Sequence, residues 1–301
     1  MRILIFTLTF LFVSNNMQAQ TIQFDSDRAA LAFYGDVMIN ALDDENRILA
    51  GEQFALLLKS ELSSEGSFEQ ALDDLKFISV QYPEDRSFRF ISWQLKESNT
   101  KYAYKTYIQT ADSKIQEFTN DKYISEDDVE NTYSRNWPSQ LVYKVKDTET
   151  ADGKAYIVFS MRQVDAYNKV KVADVLTFVN GTATFGAPLF VKNADSERPK
   201  TYNRIVIMFG ADANASLNYN PALEMIVYDN VIPQSGMMPG QGVSKYPDGS
   251  YQAYSFVEGK WNHIEKLYNE VMSEAPRPNP VSKKEGGVFG KKLGGTKKRN
   301  N

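Results

Sequence analysis

The chain has no cysteine and only one histidine in 301 residues. The first absence excludes disulfides, thiolate metal sites, a thiol nucleophile and a lipid-modified N-terminal cysteine. The second leaves His263 as the only candidate for a histidine general base, and no G-x-S-x-G elbow supplies a serine to pair with it. A typical zinc site is excluded as well, because Cys and His provide most of its ligands. No G-x-G-x-x-G follows a strand pattern. GGVFGKK at residues 286–292 is not a phosphate loop: its Gly-to-Gly spacing is short and no Ser or Thr follows the lysine. No cofactor and no metal are therefore expected, and His263 reads as an edge or surface residue. What remains open is chemistry by carboxylates alone, as in glycoside hydrolysis. The adjacent acids at 43–45 and 126–128 diverge in direction and read as solvated clusters.

Long apolar runs are also missing, with one exception. MRILIFTLTFLFVSNNMQA carries one Arg, an apolar run at residues 3–13, a polar patch and then Ala19-Gln20. That run is too short for a bilayer span and suits a signal-peptide core, with cleavage expected after Ala19. No transmembrane segment is expected elsewhere, so the mature chain reads as periplasmic or secreted. The net charge of −4 is unevenly spread. Residues 276–301 hold six Lys, two Arg and one Glu, whereas the rest of the mature chain is strongly acidic. An acidic body argues against specific nucleic-acid binding. The Pro-rich, then Gly/Lys-rich tail reads as disordered, and suited to an anionic polymer such as lipopolysaccharide or to an envelope partner.

Between these ends the period of the apolar residues changes once. Ala30, Phe33, Tyr34, Val37, Ala41 and Leu42 share a face at period 3.6, with Ser26 or Asp27 as N-cap; a second helix is expected over about 47–62. Ser67-Phe-Glu-Gln70 reads as a capping box opening a short helix. From about Lys76 the period is 2. A hairpin is expected over 77–95 with a Pro83–Asp85 corner, then a strand at 101–110. A polar connection with a weakly helical SKIQEF segment follows. Further strands are expected at 140–146, 154–161, 169–179, 182–191, 201–210, 214–220 and 222–232, the last three as a meander. Asp152-Gly153 and Asn180-Gly181 are turn signals. The fold class is α+β: N-terminal helices (20–75) followed by a mainly antiparallel β domain (76–275), as a sandwich or open barrel, after a signal peptide (1–19) and before a basic tail (276–301).

The stretch SKYPDGSYQAYSFVEGKW, residues 244–261, reads as two turns and a strand, with a candidate aromatic binding face made of Tyr251, Tyr254, Phe256 and Trp261. Asp248 by itself lacks the converging oxygens of a calcium site, and residues 210–214 lack alternating acids.

The succession LVYKV, AYIVFS, KVKVADVLTF, FGAPLF, RIVIMF, MIVYDNVIP and PDGSYQAYSFVEGKW, over residues 141–261, resembles an uncharacterised family of exported proteins of Bacteroidota. The chain departs from that family at FSMRQVDAYN (159–168), where a Gly-Trp-Asp-Gly-Asn-like turn is usual. It departs again at NHIEKLYNEV after GKW, which reads as helical. The resemblance implies a periplasmic, β-rich protein and brings no activity and no site residues. The sequence thus points to a non-catalytic envelope binding or structural component, with a glycan-binding module or a carboxylate-dependent glycoside hydrolase as the alternative.

Overall fold

The structure, a computed structural model, describes residues 23–267; the expected signal peptide and basic tail lie outside them. Helix α1 (Asp27–Asn40) starts at Ser26, whose hydroxyl accepts the Ala29 N–H. Helix α2 (Asp44–Leu62) starts at Asp43, whose carboxylate accepts from Glu45 and Asn46. Each cap contributes about 1 kcal/mol. The buried face of α1 is rotated from the expected one: Ala30, Leu31, Gly35 and Met38 are inside, Phe33 lies outside, and Leu42 is fully exposed. The reason is Gly35, where a Cβ would sit 3.4 Å from both Phe54 and Phe77. That close approach turns the glycine inward, and Phe33 packs instead on Phe24 and Tyr34.

The expected capping box does not form. Ser67 donates to the Leu62 carbonyl, and only one 3-10 turn (Ser67–Glu69) follows. The Gln70 carbonyl, which a longer helix would need for its own ladder, accepts from the Arg89 guanidinium, and the Ser67 carbonyl accepts from both Arg89 and the Gln70 N–H. Phe68, Leu72 and Leu75 still pack inward.

Three sheets follow. The first is antiparallel in the order β1 (Ser79–Gln81), β2 (Phe88–Lys96), β3 (Tyr102–Thr110), β4 (Ile115–Phe118). SKIQEF, expected to be weakly helical, supplies β4, pairing Phe118 with Thr106 and placing Phe118 in the core. The second sheet contains β5 (Leu141–Thr150), β6 (Gly153–Gln163), β7 (Asn168–Val179), β8 (Thr182–Phe185) and β11 (Arg204–Gly210), in the order β11-β7-β6-β5 with β8 also on β7. The β7–β8 turn uses positive φ at both Asn180 and Gly181, as a tight hairpin requires. The third sheet contains β9 (Phe190–Lys192), β10 (Lys200–Tyr202), β12 (Leu217–Asn220), β13 (Met225–Ser235), β14 (Val243–Val257) and β15 (Lys260–Ile264), in the order β10-β9-β15-β14-β13-β12. Among the strands of the described residues, only β15 with β9 is a parallel pair. No sheet closes into a barrel.

The cores show how these layers stack. Ile91, Trp93 and Tyr107 of the first sheet pack on the helices, while its Phe88, Phe90, Ile108 and Phe118 pack on the second sheet. The opposite face of the second sheet (Ile157, Phe159, Val175, Ile207) packs on Phe190, Tyr228, Tyr254 and Trp261 of the third. The result is four layers, one of helices and three of strands. The second sheet is covered on both faces, so its strands read as continuous apolar runs such as AYIVF.

Three expected strand assignments change. Residues 182–191 break at Gly186 (φ +97°), so that β8 and β9 enter different sheets. The expected meander is split: β11 pairs with β7, and only β12 and β13 form a hairpin. Pro247-Asp248-Gly249 is a bulge inside β14 and not a corner: Val231 faces Pro247 and Asp229 faces Tyr251, leaving Asn230 opposite three residues. Asp248 fixes that bulge by accepting from Ser250 N, Ser250 Oγ and Asn230 Nδ2. The NHI segment after GKW, expected to be helical, forms part of β15.

Among the described residues four arginines are buried, Arg47, Arg89, Arg162 and Arg204, and they hold the irregular segments. Arg47 donates to the carbonyls of Ala41, Leu42 and Lys96; Arg162 donates to those of Asp121, Lys122 and Ser139. A guanidinium offers five donors in a fixed fork, enough to satisfy several loop carbonyls that no ladder reaches.

Candidate functional site

The four residues of the expected aromatic face do not form one surface. Tyr254 and Trp261 are each 2% exposed and lie between the second and third sheets. Tyr251 and Phe256 are exposed, but they sit at odd and even positions of one strand and so face opposite sides. β14 is an interior strand whose inner face is covered, so alternation carries Tyr254 inward. Its ring meets Phe190 at 5.4 Å, His263 at 5.0 Å and Tyr228 at 6.0 Å.

His263 is likewise not an edge residue. β15 runs between β14 and β9, and His263, opposite Tyr254, is partly buried. Its Nε2 lies 2.9 Å from Gln252 Oε1 and 3.1 Å from the Tyr228 hydroxyl. Tyr228 donates to the same Gln252 oxygen at 2.7 Å. Gln252 in turn donates to Asn230 Oδ1, and Asn230 to Asp248. This chain fixes the Gln252 amide with its oxygen toward the imidazole, which makes Nε2 the protonated nitrogen. The bulge at Pro247–Gly249 therefore anchors one end of a polar relay that reaches the inner face of the sheet.

Burial, together with the Lys192 charge, pushes the His263 pKa below its ordinary value of 6.5, against Glu265. Below pH 6.5 the unfolded chain thus binds more protons than the folded one, and stability rises with pH in that window. The contribution is complete above about pH 6.5 and is lost on acidification toward the folded-state pKa. Urea melts of the wild type and of His263→Gln at about pH 7.5 and about pH 5 are expected to show a smaller acid loss in the variant. Equal losses in the two proteins would show that the imidazole carries no such linkage.

Tyr228, Asn230 and Gln252 of the relay line a cleft. β11 is the last strand of the second sheet, pairing with β7 on one edge; its other edge borders a cavity of about 350 Å³. Tyr228, Gln252 and Tyr254 of the third sheet line the opposite side, joined by Lys192 and Tyr202. Farther along β11 the two sheets meet, where Tyr246 packs on Gly210 and donates to Asp212. The cavity is thus a wedge that opens away from that contact. Glu126, brought in by the 3-10 turn Glu126–Asp128, forms an exposed ion pair with Lys245 of β14, and both residues line the wedge.

The charges here are placed by buried anchors. Arg204 opens β11, with its side chain on the face away from the third sheet, 3.1 Å from Asp174. Asp174 also accepts from Trp137 Nε1 and Val175 N. Burial pushes the Asp174 pKa up, against the Arg204 charge and these N–H donors. Asp229 accepts from the Ser216 N–H. Burial lowers the Lys192 pKa, and Glu126 acts against it. Lys192 lay hidden from pattern reading in a three-residue strand, although its position two residues from the core Phe190 marks an inward side chain. Among the described residues no cluster of three or more acidic or histidine side chains is placed to hold a metal, and no helix is long and apolar enough to cross a membrane. The arrangement of amides, tyrosine side chains and an ammonium around a small wedge, with the His263 imidazole behind Gln252 and Tyr228, is suited to holding a polar molecule by hydrogen bonds. No family model, no curated protein and no solved structure matches the chain.

Proposed function

We propose that the chain is an exported, non-catalytic envelope protein that binds a small polar molecule in the wedge between its second and third sheets. The observation that carries this reading is the relay Asp248–Asn230–Gln252–Tyr228/His263, which orients hydrogen-bonding groups on one wall of a 350 Å³ cleft. The size of the cleft and its few oriented polar groups are features that small-ligand sites have in common. The N-terminal apolar run and the similarity to exported Bacteroidota proteins support the envelope location, with cleavage after Ala19. The basic tail at 276–301 would then add contact with an anionic polymer or an envelope partner.

The test is native mass spectrometry of the full chain recovered from the envelope fraction of an expressing cell. The expected species starts at Gln20 and carries a small-molecule adduct that Gln252→Ala loses. A product that retains Met1 would overturn export, and an adduct unaffected by Gln252→Ala would overturn the cleft. The hydrolase alternative has one observation in its favour: Glu126 and Asp229 line the same wedge. Both carboxylates are already engaged, by Lys245 and by Ser216 N–H. Absence of turnover on a panel of chromogenic glycosides would remove that alternative.

A further inference from the structure

We propose that the molecule bound in the wedge is a small organic anion, with its carboxylate or phosphate group seated at the Lys192 ammonium. This rests on the wedge being a binding site, as argued above, and adds the chemical class of its occupant.

The argument begins with the partners of the other charges lining the wedge. Arg204 lies 3.1 Å from Asp174, Lys245 is paired with Glu126, and Asp229 accepts from a backbone N–H. Lys192 has no ion pair and no hydrogen bond among the described residues; its contact is with the Tyr202 ring, 5.9 Å from Nζ. It is partly buried, and its strand places it on the same side as Phe190, toward the second sheet. An ammonium removed from water without a counter-charge is unfavourable, and an anion beside it relieves that cost. Among the described residues, the one carboxylate that acts on Lys192, Glu126, lies beyond ion-pair distance and is already paired with Lys245, while Gln252 and Tyr228 are neutral.

The rest of the wedge suits the body of such a molecule. The edge of β11 that faces away from β7 has no strand partner among the described residues, and offers backbone N–H and C=O groups beside the cavity. Tyr202, Tyr228 and Tyr254 give aromatic walls, and Gln252 with Asn230 can meet hydroxyl groups. An acidic sugar has both features, an anionic group and a hydroxylated ring.

The experiment is amide NMR of the full chain titrated with galactose, galacturonate and galactose 1-phosphate, which differ in charge and share a ring. The two anions distinguish a carboxylate from a phosphate as the preferred group. At least one of them is expected to shift amides around Lys192, Ile205–Ile207 and Gln252, and to bind about tenfold or more tightly than galactose. Lys192→Met is expected to remove that advantage, and Lys192→Arg to retain it. Lys192→Gln serves if the Met variant fails to fold, judged by its thermal melt. Galactose bound in the wedge as tightly as either anion, or anion binding unaffected by Lys192→Met, overturns the charge inference but leaves the cleft standing. Shifts that cluster away from the wedge, or no shift with either anion, overturn the inference as well; shifts elsewhere also remove the cleft reading.

Discussion

Replacing Asp174 with asparagine, or Arg204 with methionine, is expected to cost the protein about 3–5 kcal/mol of folding free energy, read from urea melts. Both side chains are inaccessible to solvent, and they sit opposite each other on β7 and β11. Their sheet is covered on both faces, so a charge left alone there has neither water nor a counter-ion. Removing Asp174 strands the Arg204 guanidinium, whose remaining contacts are the Asp128 carbonyl and the Tyr133 ring at 4.8 Å. Removing Arg204 strands a carboxylate that Trp137 and Val175 stabilise only in part. The double variant Asp174→Leu with Arg204→Met is expected to lose less than the two singles together, because apolar groups of similar volume can replace a buried pair at little cost. Single losses below about 1 kcal/mol would mean that the pair is not what holds β11 to β7 at this point.

The second large effect is expected at Gly186, which separates β8 from β9. A Cβ there would lie 2.4 Å from the Asn131 carbonyl oxygen and 2.7 Å from Arg204 Nη2, at a φ of +97°. Gly186→Ala therefore combines a strained backbone with overpacking, together about 3–5 kcal/mol. Its neighbours explain why so close an approach exists. Tyr133 and Phe185 exchange backbone hydrogen bonds, Asn203 donates to the Glu130 and Asn131 carbonyls, and Trp137 stacks on Phe185 at 4.1 Å. The long polar connection between β4 and β5 is thus drawn tight over the strand break. A variant that melts within about 0.5 kcal/mol of wild type would show that the segment can move aside freely.

These two sites also show where pattern reading stopped. KVKVADVLTF reads as a strand, and Asp174 within it is a polar residue in an apolar run. That is a signal that something must pair with it, but Arg204 lies thirty residues on, in a segment that pattern alone assigned to a different hairpin. The connection at 111–136 reads as a polar link with a weakly helical SKIQEF segment, because its backbone carbonyls, which no side-chain pattern records, are what Arg162, Asn203 and Arg204 hold. Pro247-Asp248-Gly249 carries the chemistry of a turn and uses it, but to bend a continuous strand, since both halves of β14 find register on β13. The aromatic face failed for a related reason: alternation says which residues share a side, not which side another sheet will cover. The wedge was equally illegible, because Lys192, Gln252, Tyr228 and Arg204 come from four strands.

What the amino-acid order determined by itself is local. Ser26 and Asp43 start helices because their side chains satisfy the first free N–H groups, Asn180-Gly181 reverses the chain because both residues tolerate positive φ, and period-2 runs after Lys76 become strands. The antiparallel, helix-then-sheet class follows from those elements and their short links. Tertiary structure decided how the strands are shared among three stacked sheets, which helix face and which aromatics are covered, and which charges are left in pairs or alone. These outcomes depend on contacts between residues far apart in the chain, where burial energy is summed over whole faces and a single glycine or arginine settles the approach.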